Sequence, residues 1–258
     1  MKYKKILGID IGGSGIKGTI VHTKKGKLLT ERYRLPTPSP ATPEAVAEVI
    51  RKIVLHFKWD GAIGAGFPGV VQNGIVRTAA NVDKSWIDTN IDKLITSLTN
   101  CPAHVVNDAD AAGMAEMEFG AGAGIKGVVM LITVGTGLGT VMFTGGKLIP
   151  NLELGHIILK GDDAEKYASD AARKNFKLSW EQWAGRFDEY LQRIEELVWP
   201  DVIILGGGAS KKKDLFIDQL HTRAKIVPAQ YENNAGIVGA ALAAKAYFKQ
   251  FEEVKKEK

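Results

Sequence analysis

Three glycine-rich turns carry most of the chemistry legible in this 258-residue chain. The first lies in "LGIDIGGSGIKGTIV", residues 7–21, where Gly13, Gly15 and Gly18 complete a G-x-G-x-x-G pattern. In a dinucleotide-binding fingerprint such a turn must open a helix whose N-terminus receives the pyrophosphate. Here Thr19, Ile20 and Val21 follow instead, and β-branched residues favour a strand. The pattern therefore predicts a strand, a glycine turn and a returning strand. Glycines lack a Cβ, so their backbone N–H groups can approach phosphate oxygens closely. A second copy stands in "LITVGTGLGTVMF", with Thr136 inside the turn, and a third cluster runs from Gly206 to Gly208. Asp10, at the end of the first strand, is placed to hold a hydrated Mg²⁺, because one carboxylate with phosphate oxygens is the usual magnesium environment. Lys17 offers a cation for phosphate charge, although a surface lysine reads the same way.

The elements that would position these turns follow from pattern and breakers. "YKKILGIDI", "GTIVHT" and "LLTERYRL" read as consecutive strands joined by the glycines and by "KKGK". After the loop "PTPSPATP", Thr42 and Pro43 read as N-cap and first helical residue, and Val46, Val49, Ile50, Ile53, Val54 and Phe57 fall at helical spacing. Strands are expected in "AIGAGFPGVV" and in "AHVVND", 103–108, with a helix beginning in "ADAAGMAEMEF". Ser179 and Gln182 form a capping box for a long helix near 180–199, whose Trp180, Trp183 and Trp199 are expected in the core rather than, as the alternative, at a subunit interface. "PDVIILGGGAS" then gives a strand, and "AGIVGAALAAKAYFKQF" a closing helix. The class is α/β, with a weak duplication of the strand–glycine–strand theme about half a chain apart. Two such units facing each other would enclose a cleft.

Composition narrows the setting. Hydrophobic residues make up 45% and charged residues 24%, as in a soluble globular protein. No run approaches the roughly 20 apolar residues of a spanning helix, and "MKYKKILGID" lacks a signal-peptide pattern, so a cytoplasmic protein is expected. Cys101 is the sole cysteine, which rules out an internal disulfide and cysteine-rich zinc sites. The net charge of +5 is mild and sits partly in lysine runs, Lys24, Lys25, Lys27 and Lys211 to Lys213. These read as solvated surface or as a patch for a polyanion.

The ordered series "DIGGSGIKG", "NDADAAGMAE", "TVGTGLG", "ELGH" and "LGGGAS" resembles the ROK family of sugar kinases, within the actin-like and hexokinase-like superfamily. "FPGVV", "RTAANVDKSWI", "PATPEAVAEVI", "DAEKYAS" and "WPDVIILGGGASKK" are similar to its polyphosphate glucokinase branch. The resemblance implies a two-domain, ribonuclease H-like α/β fold with an interdomain cleft: residues 1–108 with 235–258 in a smaller domain, and 109–234 in a larger one. It implies transfer of a phosphoryl group from inorganic polyphosphate, with ATP as a further donor, to the C6 hydroxyl of glucose, with Mg²⁺ as cofactor. It also implies a homodimer with neither nucleic acid nor membrane as partner. Family regulators carry an N-terminal helix-turn-helix, whereas here the first strand begins within a few residues of Met1.

By the same resemblance Asp108 is the general base, with Asp110 as its nearest competitor. Phosphoryl transfer needs little else from a protein than in-line positioning, charge neutralisation and a proton acceptor. Asn81, Asn107, Glu153, His156 and Glu165, with Asp108, would pair the sugar hydroxyls, since a buried polar group left empty is costly. Asp10, Gly12, Gly13, Ser14, Gly15, Lys17, Thr133, Gly135, Thr136, Gly137, Gly207, Gly208 and Ser210 would bind the phosphate donor. One departure stands out: many members place a cysteine-rich zinc motif after the glycine–histidine pair, and "IILKGDDAEKYAS" has none, so that loop must be held otherwise. A strictly ATP-dependent glucokinase or glucomannokinase, and a catalytically silent sugar sensor, are the alternatives.

Overall fold

The run "KILGIDIG" is apolar at most positions because its strand is covered on both faces. It forms β1 (Lys5–Gly12), and β2 (Gly15–His22) returns antiparallel, pairing Gly12 with Gly15. The computed structural model describes residues 3–80 and 82–256. "LLTERYRL", expected as one strand, is two short ones, β3 (Lys27–Leu28) and β4 (Tyr33–Leu35). Thr30 separates them: its hydroxyl pairs with the Thr19 hydroxyl at 2.8 Å and accepts from the Ile20 N–H at 3.2 Å. In α1 (Pro43–His56) the Thr42 hydroxyl caps the Ala45 N–H, and the periodic apolar face read from the sequence is buried. Then come β5 (Ile63–Phe67), β6 (Val71–Gln72), β7 (Ile75–Val76), α2 (Ile91–Thr99), β8 (Ala103–Asn107) and α3 (Asp108–Phe119).

The chain divides into two compact units. One comprises residues up to Ala115 and from Asn234 onward; the other runs from Glu116 to Asn233. In the first, the sheet order is β3-β2-β1-β5-β8, with β4 also on β2. The second unit holds β9 (Val128–Val134), β10 (Leu138–Thr144), β11 (Lys147–Ile149), β12 (Ile158–Leu159), β13 (Asp162–Asp163), α4 (Ala164–Ala168), α5 (Asp170–Asn175), α6 (Trp180–Val198), β14 (Val202–Gly206) and β15 (Lys225–Pro228). Its main sheet has the order β11-β10-β9-β14-β15. In both sheets an antiparallel hairpin is followed by two parallel strands, so the duplication expected from the glycine turns is present in the topology. The α/β class holds throughout.

The closing helix, α7 (Ala235–Lys256), packs on β1 and β5 of the first unit. Its backbone lies so close to β5 that a Cβ at Gly64 would meet the Ala240 carbonyl. In the second unit the capping box at Ser179 and Gln182 is formed, and α6 buries Trp183, Phe187 and Tyr190 around Phe216. Each such buried aromatic contributes about 1.5–3 kcal/mol of transfer free energy. Trp199 departs from expectation: it stops the helix in a left-handed conformation and is 64% exposed. Among the described residues no helix is long and apolar enough to cross a membrane.

Candidate active site

In the first unit the chemistry gathers at the β1–β2 turn and at the end of β8. Asp10 and Lys17 are paired across the hairpin, and their side chains meet at 3.2 Å. Lys17 is therefore ion-paired, with its side chain only partly buried. The Asp10 carboxylate also lies against Gly236 in the first turn of α7. A Cβ at Gly15 would overlap the Arg34 guanidinium, which donates from Nη2 to the Ser14 carbonyl at 2.7 Å. The Thr37 hydroxyl donates to the Gly12 carbonyl. Gly13 alone of this turn faces open space, with nothing within 4 Å of its Cβ position.

β8 ends at Asn107, one residue earlier than the sequence suggested, and Asp108 opens α3. The cause is a cap. The Asn107 amide oxygen accepts from the N–H groups of Ala109 at 2.8 Å and Asp110 at 3.1 Å, and its Nδ2 donates to the Gly69 carbonyl at 3.2 Å. Asn107 thus commits its oxygen to the helix and keeps one amide N–H for other use. Asp108 Oδ1 accepts from the Ala109 N–H at 2.8 Å, and Gly66 stands beside it, where a Cβ would lie 3.4 Å from the Asp108 Cα. The carboxylate of Asp108 is placed at a helix N-terminus, where negative charge is favoured. Asp110 is 1% exposed, whereas Asp108 stands partly exposed at the first residue of α3. Asn81 lies outside the described residues.

In the second unit the β9–β10 turn is built the same way. Gly135 faces open space, while a Cβ at Gly137 would meet the Glu165 carboxylate, which also reaches the Leu138 N–H at 3.4 Å. Thr136 completes that turn, and the Thr133 hydroxyl, on β9, donates to the Gly139 carbonyl at 3.4 Å. β14 runs parallel to β9 with Gly206 opposite Thr133, so the third glycine cluster sits beside the second. Gly207 has φ +80° and packs on the Val134 backbone; Gly208 faces open space; Ser210 donates to the Gly207 carbonyl at 2.8 Å. Each of the three turns therefore leaves one glycine uncovered, Gly13, Gly135 and Gly208, and fills the face of another with protein.

"ELGH" is held against β10. The buried Thr140 hydroxyl donates to the Leu152 carbonyl and accepts from the Leu154 N–H, both at 3.0 Å, and a Cβ at Gly155 would meet the Leu138 carbonyl. His156 stands between two carboxylates, Nε2 at 3.7 Å from Glu153 and Nδ1 at 3.7 Å from Asp163. Partial burial pushes the Glu153 carboxyl above the ordinary range, His156 pulls it back, and Glu165 adds to the rise. Burial, with Glu165 nearby, holds the Tyr190 phenol neutral behind the loop, donating to the Leu154 carbonyl at 3.4 Å. The segment without cysteines is held as a hairpin: β12 pairs with β13 across Lys160 and Gly161, both at positive φ, and the Ala164 N–H closes onto the Ile157 carbonyl at 2.9 Å.

Asp163 and Arg34 escaped the sequence reading. Asp163 follows a Lys-Gly turn signal, so the hairpin that sets it beside His156 was legible; Arg34 needs the β2–β4 register, which no local pattern prints.

A model of the ROK family matches residues 6–172. The chain belongs to the ROK family. Within it, the chain is 48% identical to a polyphosphate glucokinase of Mycobacterium tuberculosis (strain CDC 1551 / Oshkosh) over 93% of its length and 91% of the relative's. It superposes on an inorganic polyphosphate/ATP-glucomannokinase from Arthrobacter sp. strain KM with a TM-score of 0.90 at 49% identity, covering 94% of this chain and 99% of that one. A ROK family glucokinase from Streptomyces griseus, solved with glucose and AMPPNP, matches with a TM-score of 0.80 at 26% identity, over 94% of this chain and 99% of the other. The two-domain hexokinase-like fold expected of a ROK kinase is thus the fold of this chain.

Proposed function

We propose that the protein is a polyphosphate-glucose phosphotransferase that makes glucose 6-phosphate, with ATP as a second donor. The observation that carries this is Asp108, a carboxylate fixed at the first residue of α3 by the Asn107 cap, in a ROK chain so similar to polyphosphate glucokinases. Asp108 takes the proton of the sugar C6 hydroxyl as that oxygen attacks the terminal phosphorus of the donor. The bridging P–O bond breaks, and its electron pair leaves with the polymer shortened by one phosphate. Glu153, His156 and Glu165 of the second unit, with Asn81 and the free amide N–H of Asn107, pair the remaining hydroxyls. The uncovered glycines Gly13, Gly135 and Gly208 present backbone to phosphate oxygens, with Gly12, Ser14, Gly15, Thr133, Thr136, Gly137, Gly207 and Ser210 shaping their turns.

The residues fit a magnesium ion. Among the described residues no three potential ligands cluster, and Asp10 is a single carboxylate beside a glycine turn. That suits Mg²⁺, which keeps most of its waters and takes one or two carboxylates plus phosphate oxygens. Asp10 would hold it through water; when bound, the ion supplies charge neutralisation on the donor. The enzyme works in the cytoplasm as a homodimer.

The test is glucose 6-phosphate formation with Mg²⁺ and either long-chain polyphosphate or ATP, with Asp108→Asn as control. The substitution lowers kcat by about 10² to 10⁴ on both donors while glucose binding, measured by calorimetry, persists. Glucose binding without turnover by the unsubstituted protein would instead establish a sensor.

A further inference from the structure

We infer that Arg34 binds the polyphosphate donor beyond the phosphoryl group being transferred, an assignment that rests on the polyphosphate reading above. Register is the starting point. Asp10 is paired with Lys17 across β1 and β2, and Lys17 is paired with Arg34 across β2 and β4. Directly opposed residues of antiparallel strands project from the same face, so a carboxylate, an ammonium and a guanidinium form one row across the sheet. Strands lie about 4.8 Å apart, and the row therefore runs about 10 Å from Asp10 to the edge strand β4. It begins where the reactive phosphate is expected and ends at solvent.

Arg34 is held in that row by design of the turn. Its Nη2 donates to the Ser14 carbonyl at 2.7 Å and approaches the Ser14 hydroxyl at 3.5 Å. The guanidinium lies over Gly15, where any Cβ would overlap its Nε, Cζ and Nη2 atoms. A side chain at position 15 would displace the guanidinium from its present place. The neighbouring Gly13 position remains open. A guanidinium has five donors in a planar fork suited to phosphate oxygens, and the Ser14 carbonyl engages one nitrogen of the three. Lys17, by contrast, is already opposite the Asp10 carboxylate. Arg34 is the outermost cation of the row, with two of its three nitrogens left for a ligand.

A nucleoside triphosphate has three phosphates and then ends in an uncharged sugar and base. A phosphate polymer continues as a polyanion, so a cation set outward along the row discriminates in favour of the polymer.

The experiment compares KM for long-chain polyphosphate and for ATP in the unsubstituted enzyme, Arg34→Gln, Arg34→Lys and Gly15→Ala, with melting temperature recorded for each. Arg34→Gln is expected to raise KM for polyphosphate about tenfold more than KM for ATP. Arg34→Lys keeps the charge without the fork and falls between. Gly15→Ala puts a methyl group in the guanidinium's place and shows the same donor-selective rise. Equal rises for both donors, or losses that follow only a fall in melting temperature, would make Arg34 a strut of the hairpin and overturn the assignment. An unsubstituted enzyme that uses ATP and no polyphosphate would overturn the functional reading itself, and would show this before any variant is made.

Discussion

Asp10 and Lys17 face each other across the first hairpin, carboxylate to ammonium at 3.2 Å, with side chains 23% and 32% exposed. A pair this accessible adds little to stability, about 0–1 kcal/mol. Its value lies in position: it keeps a cation and a carboxylate at the mouth of the glycine turn without a ligand to order them. Lys17→Met is therefore expected to change melting temperature by only a degree or two. It should raise KM for polyphosphate and ATP alike by about tenfold, because both donors present a terminal phosphate to this end of the row. Steady-state kinetics with each donor at saturating glucose checks this, and a large fall in stability with unchanged KM would refute it.

Glu153 carries a cost to the fold. Burial, reinforced by Glu165, raises its pKa above the ordinary carboxylate value despite His156. A raised folded-state pKa means stability that is fully present below the unfolded pKa and lost as pH rises through the folded value. At neutral pH the ionised Glu153 therefore works against folding. Glu153→Gln should melt slightly higher than the unsubstituted protein at pH 7, with the difference closing as pH falls toward 4. The same substitution should raise KM for glucose about 10- to 100-fold, the worth of a hydrogen bond to a charged group. Thermal melts across pH and glucose kinetics test the two halves separately.

The strand–glycine–strand units and the capped helices were legible because each has a local cause: β-branched runs, capping residues and turn glycines. The break in "LLTERYRL" was not, since it depends on Thr30 meeting Thr19 from another strand. The glycines illustrate the limit best. Sequence shows that Gly13 and Gly15 lack a Cβ; only the fold shows that one faces open space and the other accommodates Arg34. Asn107 belongs to an Asn-Asp pair that alone reads as a turn or helix cap and was assigned to the sugar by resemblance; in the fold its amide oxygen does cap α3.

Glu116 is wholly buried, and burying a carboxyl group is costly unless hydrogen bonds compensate it. Its Oε1 accepts from the N–H groups of Gln230 at 2.9 Å and Tyr231 at 2.6 Å, and its Oε2 from that of Ala121 at 2.9 Å. Three backbone donors are thus tied to one side chain at the end of α3. Glu116→Ala removes the acceptor from all three and should cost about 1–3 kcal/mol, read by urea denaturation. Glu116→Gln keeps acceptor capacity at one terminal atom only and should cost less.

The lysine run beside the third glycine cluster invites a role in donor binding, and its surroundings set the size of the effect. Lys211 lies 3.8 Å from Glu232, and Lys213 lies 2.9 Å from Asp214. Both cations are thus partly answered by exposed carboxylates, so a polyanion gains less from them than formal charge suggests. Replacing Lys211, Lys212 and Lys213 together by Gln should raise KM for long-chain polyphosphate about three- to tenfold, and for ATP much less. It should also weaken the dependence of that KM on salt, since fewer screened contacts remain to be lost. Kinetics at two salt concentrations decides: an unchanged polyphosphate KM would return the run to solvated surface and leave Lys17 and Arg34 as the cations that meet the polymer.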